Sequence, residues 1–256
     1  MCLTEESTET LYLLGEEDRI VGISGFTVRP PRARKEKPKV SAFTSAKIDR
    51  ILALEPDLVL GFSDLQADIA AELIRCGSTV LIFNHRSVQE ILSMIRTLGG
   101  MVGAAKRADE LVGAYENNID RNLAQAAGRS RRPKVYFEEW DDPQISGIRW
   151  VSELITIAGG DDIFPELAVC PDGKSRIIAD PDEVIGRAPE IIIGSWCGKK
   201  FRPEKVAARE GWDAIPAVQN GDIYEIKSAQ ILQPGPAALT DGLEQLQEII
   251  ATWAHE

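Results

Sequence analysis

The chain has 256 residues, enough for one large domain or for two lobes that each bury a core. Its formal net charge is −11, from 40 acidic and 29 basic residues, which speaks against the basic face that a nucleic-acid binder needs. The hydrophobic fraction is 44%, and no apolar run approaches the ~18 residues of a membrane span.

The start of the chain lacks the basic, apolar and small-residue zones of a signal peptide: Met1, Cys2 and Leu3 run straight into Thr4, Glu5 and Glu6. The chain is expected to begin inside its first strand. A late start, a removed leader and a cytoplasmic protein all remain open. Residues 7–14 read as a short helix capped by Ser7 and stopped at Gly15. Residues 19–24 read as a strand, and the polar, basic, proline-containing residues 27–39 as a surface loop. A helix over 46–54 stops at Pro56. A strand over 57–61 follows, buried on both faces because its apolar residues do not alternate. Helix 65–76, strand 79–83 and helix 87–98 complete a strand–helix alternation that predicts parallel sheets flanked by helices.

The longest helical pattern spans 104–128, with Ala108, Leu111, Val112, Tyr115, Ile119 and Leu123 at three- and four-residue intervals. Alternation resumes with strand 135–140, helices 150–158 and 181–187, strands 190–194 and 222–226, and a final helix over 237–253. Within this order lies a repeat. Residues 49–61 read DRILALEPDLVLG and residues 182–194 read DEVIGRAPEIIIG. Asp49 aligns with Asp182, Pro56 with Pro189, Asp57 with Glu190 and Gly61 with Gly194, each copy being a helix, a proline-marked turn and a buried strand. Two copies mean two similar lobes, not a solenoid. The predicted division is 1–103, a linking helix over 104–130, and 131–256.

Open parallel sheets bind ligands at the carboxyl ends of their strands. Glu5, Phe26, Phe62, Ser63, Trp140 and Trp196 follow predicted strands, Phe43 precedes the helix at 46, and Gln233 follows the last strand. Any single aromatic here has a core role as its bland alternative, but their recurrence at strand ends favours a shared pocket for a large, flat, partly apolar ligand. Enzyme readings fare poorly, since neither GxSxG nor HExxH occurs. Glu138 and Glu139 are adjacent on a strand and so point to opposite faces. Cys197 as a nucleophile would have only His85 as a base, from the other lobe. Cys2, Cys76, Cys170 and Cys197 show no metal spacing, leaving the disulfide state open, and two histidines, His85 and His255, exclude a multi-histidine metal site.

Residues 9–31 (ETLYLLGEEDRIVGISGFTVRPP), 40–61 (VSAFTSAKIDRILALEPDLVLG) and 211–226 (GWDAIPAVQNGDIYEI) resemble the rigid-helix class of ABC-importer substrate-binding proteins, the receptors for vitamin B12, siderophores and haem, and most of all its vitamin B12-binding members. The resemblance extends over nearly the whole chain. It implies an α/β fold of two Rossmann-like lobes with parallel sheets, joined by one long helix, with a ligand cleft between the lobes. It implies a periplasmic monomer, not an enzyme, that captures a corrinoid (cobalamin or a relative) and delivers it to the permease subunits. No resident cofactor, metal or nucleic acid is implied. Asp49 and Asp182 would be the permease-docking carboxylates. Phe26, Phe43 and Phe62 would line the first lobe, where two of the three would be tryptophan in the vitamin B12-binding members. The tryptophan expected before the helix at 181 is absent, and Trp140, Trp150 or Trp196 would stand in for it. Glu5, Ser63 and Gln233 would be polar anchors. Two alternatives stay open: a cytoplasmic corrinoid-binding or salvage factor on the same fold, and a siderophore or metal-chelate receptor using Arg149, Arg176 and Arg202.

Overall fold

The structure is a computed structural model that describes residues 1–254; His255, one of the two histidines counted above, lies outside them. Contacts divide the chain into two compact units. The first comprises Met1–His85, Gln89–Ala114 and Gln233–Pro236; the second comprises Arg86–Val88, Tyr115–Leu232 and the residues from Ala237 onward.

The first unit opens with helix α1 (Glu5–Leu13), then β1 (Ile23–Ser24), α2 (Ala33–Glu36), β2 (Lys39–Ser41), α3 (Ile48–Leu52), β3 (Val59–Phe62), α4 (Ala67–Arg75), β4 (Val80–Phe83) and α5 (Val88–Met101). β1 pairs with β2 and β3 with β4, both parallel. The first residues of the chain join these pairs. The Leu3 amide donates to Leu60 O at 2.8 Å, the Leu60 amide to Met1 O at 2.8 Å, and the Cys2 amide to Gly22 O at 3.0 Å. Residues 1–3 thus lie between β1 and β3, parallel to β3, as the expected opening strand. Leu3 and Val59 of these strands form one fully buried cluster with Ile51 of α3 and Leu73 of α4.

Several elements depart from expectation. α1 begins at Glu5, not after a Ser7 cap, because Thr4 holds the extended backbone of the residue that precedes a helix. Its polar face is buried, which is tolerable because hydroxyls bond to their own helix: Thr8 Oγ1 donates to Thr4 O at 3.1 Å and Thr10 Oγ1 to Glu6 O at 2.7 Å. The strand over 19–24 shrinks to two residues because Glu17–Arg19 form a 3-10 turn. The loop over 27–39 contains α2 and the first residue of β2, tied down by Arg34, which donates to Gly25 O at 2.7 Å and Thr27 O at 2.9 Å.

α6 (Ala105–Ala127) carries the chain from one unit into the other. Its buried stripe is Ala108, Val112, Tyr115, Asn122 and Ala126; Leu123 instead faces outward. The second unit continues with β5 (Lys134–Asp141), β6 (Gln144–Ser146), α7 (Arg149–Ala158), β7 (Asp161–Asp162), α8 (Pro165–Ala168), α9 (Asp182–Arg187), β8 (Ile191–Gly194), α10 (Pro203–Ala207), α11 (Pro216–Asn220), β9 (Ile223–Glu225), α12 (Ser228–Ile231) and α13 (Leu243–Trp253). A π-helical turn over Ala238–Gly242 precedes α13, so the predicted final helix is not uniform. The sheet order is β6-β5-β8-β9, with β7 also on β5; all pairs are parallel except the β5–β6 hairpin.

The repeat extends to the backbone. Glu55 and Ala188, each immediately before the proline of its copy, have φ of 47° and 49°, a left-handed conformation uncommon for side-chain-bearing residues. Both sit where α3 and α9 hand over to β3 and β8. The same sharp turn is therefore made twice without glycine.

Candidate functional site

Parallel pairing puts the carboxyl ends of the first unit's strands on one edge. Thr4 and Glu5 follow the opening strand, Phe26 follows β1, Phe43 follows β2, Ser63 follows β3 and His85 follows β4. The ends are cross-tied: the Gly25 amide donates to Ser41 O at 2.7 Å and the Ser63 amide to Phe83 O at 2.8 Å. Gln66, fully buried and overlooked in the sequence, holds two candidate aromatics in place. Its Nε2 donates to Phe43 O at 2.8 Å and its Oε1 accepts from the Phe62 amide at 3.0 Å. Gln233 belongs to this unit as well, in a short segment whose Pro234 carbonyl lies 2.7 Å from His85 Nε2. The Phe62 ring packs 5.0 Å from the His85 ring.

The predicted residues differ in what they present. Phe26 is 56% exposed, Phe43 and Gln233 are half-buried, and Phe62 is buried. Ser63 is buried with φ of 67°, and its hydroxyl accepts the Leu65 amide at 3.2 Å, so that oxygen already caps a turn. Glu5 is buried, and burial pushes its carboxyl up from the usual range. Asp49 and Asp182, at matched places in the repeat, are both exposed.

Next to Glu5, Glu6 is 1% exposed, and burial pushes its carboxyl up to about 8. The Thr4 hydroxyl donates to its Oε1 and opposes this shift, while the charge of Glu5 adds to it. A carboxyl raised from 4.5 to about 8 binds its proton more tightly in the folded chain than in the unfolded one. Its contribution is therefore complete below pH 4.5 and lost as pH rises through about 8. The expected result is a melting temperature that falls between pH 5 and pH 8.5. Glu6→Gln should reduce that fall by at least roughly 3 °C, the scale on which 1 kcal/mol moves a chain of this size. Parallel pH profiles for the two proteins would refute the assignment.

In the second unit, Trp140 is the penultimate residue of β5 and Trp196 follows β8. Trp196 is 4% exposed, packs edge-on to Phe201 at 4.8 Å, and donates its indole N–H to Glu138 Oε1 at 3.0 Å. Most of its surface is committed to the core. Trp150 is buried too, with its indole N–H on Ile231 O at 2.9 Å. Trp140 is half-buried. Glu138 and Glu139 do point apart: Glu138 takes two hydrogen bonds from Arg209, at 2.6 and 2.9 Å, and Glu139 takes two from Arg176, at 2.7 and 3.0 Å. Arg176 is thereby occupied internally. Among the described residues all four cysteines are free thiols, no group of three or more His, Cys, Asp or Glu converges to hold a metal, and no helix is long and apolar enough to cross a membrane.

The sequence pattern described as "Periplasmic binding protein" (Peripla_BP_2) matches residues 1–230. The chain is 26% identical over 257 residues to the uncharacterized ABC transporter substrate-binding lipoprotein YvrC of Bacillus subtilis, covering 97% of this chain and 78% of that protein. Its fold is similar to the crystal structure of the periplasmic vitamin B12 binding protein BtuF of Vibrio cholerae, with a TM-score of 0.78 and 21% identity over 100% of this chain and 97% of that one. It is also similar to the periplasmic heme-binding protein RhuT from Roseiflexus sp. RS-1, with a TM-score of 0.80 and 22% identity over 97% of each chain. The chain belongs to the periplasmic binding protein family, whose members are substrate-binding proteins of ABC importers.

Proposed function

We propose that this chain acts as a monomer outside the cytoplasmic membrane, captures a bulky, flat, partly apolar corrinoid, and passes it to the permease of an ABC importer without chemical change. The observation that carries the reading is Phe26. It is a large aromatic, 56% exposed, at the carboxyl edge of a parallel sheet, with Val28 also 40% exposed beside it in sequence. Core packing does not account for it, whereas a stacking platform for a macrocycle does. Phe43, half-buried and anchored through Gln66, extends the platform. The names of the vitamin B12-binding relatives point to corrinoids, and those of the heme-binding structures support haem as the second reading. Asp49 and Asp182 are the proposed docking carboxylates, because both are exposed and occupy equivalent repeat positions.

Calorimetric titration with cyanocobalamin, cobinamide and hemin tests the reading. Saturable corrinoid binding at micromolar or tighter levels is expected, and Phe26→Ala should weaken it about tenfold, or 1.4 kcal/mol. Binding of hemin alone would move the assignment to haem, and binding of none of the three would overturn the macrocycle reading. In the same preparation, Asp49→Ala combined with Asp182→Ala should leave ligand affinity intact while weakening capture by the reconstituted transporter. Unchanged capture would dismiss the docking assignment.

A further inference from the structure

Lys199 sits in an unusual place. Its Nζ lies 5.3 Å from the centre of the Trp140 ring and 5.2 Å from that of the Trp196 ring. The same nitrogen is 2.7 and 2.6 Å from the two carboxylate oxygens of Asp141. Two indole faces and one carboxylate are the groups that recognise an organic cation: the rings supply their negative faces, and the carboxylate supplies a full countercharge.

The walls are fixed before any cation arrives. The Trp196 indole is pinned by its N–H bond to Glu138, a carboxylate held in turn by Arg209 and by the Tyr136 hydroxyl at 2.9 Å. Trp140 donates its own N–H to Asp142 O at 2.9 Å. Both rings therefore spend their polar edges on the protein and turn π surface to one point. Asp141 is largely sheltered, its side chain 15% exposed. Lys199 is the solvent-facing part, a long side chain 44% exposed on the loop after β8. An ammonium on a flexible stem, open to solvent, is the component that another ammonium can displace.

From this geometry we infer that Trp140, Trp196 and Asp141 form a binding site for an alkylammonium group, which Lys199 occupies as an intramolecular competitor. The site takes a methylated or primary amine, free or as part of a larger solute. Trp140 and Trp196 are also aromatics that the sequence offers for the macrocycle, but the inference does not rest on the corrinoid reading, since its probes are small cations and its readout needs no macrocycle.

The test uses the full chain and tetramethylammonium chloride, read by tryptophan fluorescence against equal concentrations of sodium chloride. Removing the competitor by Lys199→Ala should yield saturable quenching. The wild-type chain should need at least roughly tenfold more tetramethylammonium, because only the fraction of molecules with Lys199 withdrawn is competent. Adding Asp141→Asn or Trp140→Ala to Lys199→Ala should abolish the response. The neutral alcohol 3,3-dimethylbutan-1-ol, which has the shape of choline without its charge, should not bind. Lys199→Gln serves as a second opened variant, and melting curves confirm that each protein is folded. Absence of saturable quenching in both opened variants overturns the inference, as does equal binding of the neutral alcohol.

Discussion

Replacing Arg209 by methionine is expected to destabilise the second unit by about 3–5 kcal/mol, the cost of removing one partner from a buried ion pair. Glu138 has no exposed side-chain surface, and Arg209 supplies two of its hydrogen bonds at 2.6 and 2.9 Å. The remaining donors, the Trp196 indole and the Tyr136 hydroxyl, are neutral and cannot balance a carboxylate in that setting. Methionine keeps the apolar stem but not the guanidinium, which also lies over the Trp212 ring at 4.5 Å. Urea unfolding of the variant measures the loss. Glu138→Gln in the same chain should recover part of it, because an amide can be buried uncharged. A loss under about 1 kcal/mol would mean that solvent reaches the pair, as it does for exposed ion pairs.

The second large effect belongs to Gly194. A methyl group there would come within 1.8 Å of Phe201 Cε2 and 2.2 Å of Cδ2, and Phe201 is itself buried against Trp196. No rotation of a flexible chain end relieves this contact; the ring must move, and Trp196 with it. Gly194→Ala should therefore cost about 3 kcal/mol, the upper part of the usual range for overpacking. Its repeat partner makes a useful control. A methyl group at Gly61 would come no closer than 2.6 Å to its nearest neighbours, Gln66 Oε1 and Ile82 Cδ1, the ends of two side chains and not the face of a packed ring. Gly61→Ala should cost clearly less. A double-mutant cycle with Phe201→Leu should show strong favourable coupling to Gly194→Ala. Additive losses would show that the ring is not the obstacle.

These two residues also show where sequence reading succeeded and where it stopped. The DLVLG and EIIIG runs were legible as buried parallel strands because unbroken apolar residues have few other uses, and their glycines stood out through the repeat. β3 and β8 lie where those runs are. Short elements escaped for physical reasons. α2 and β6 are four and three residues long, too short for any periodicity to accumulate. The candidate site was legible as a set of positions after strands, since that needs only topology. How each side chain is used was not. Trp196 and Trp140 look alike in sequence, yet one is fastened to Glu138 in the core and the other is half-buried. Gln66, Arg209 and Lys199 were not singled out, because each also acts on a distant partner, 23, 71 and 58 residues away, that no local pattern reveals. The positive φ at Glu55 and Ala188 was hidden for a similar reason, as neither residue type advertises a left-handed turn.

The two units do not correspond to two uninterrupted lengths of chain. Gln233–Pro236 belongs to the first unit although more than a hundred residues of the second precede it, and Arg86–Val88 belongs to the second although it is flanked by the first. On the ribosome, the first unit thus emerges missing a piece. The oxygen that His85 Nε2 contacts lies 149 residues further along the chain, and the glycine that packs against Glu6 is its neighbour, so both arrive long after the side chains they meet. A chain ending anywhere in α6 would carry both side chains without their partners, so the first unit cannot be completed by the residues before that helix alone.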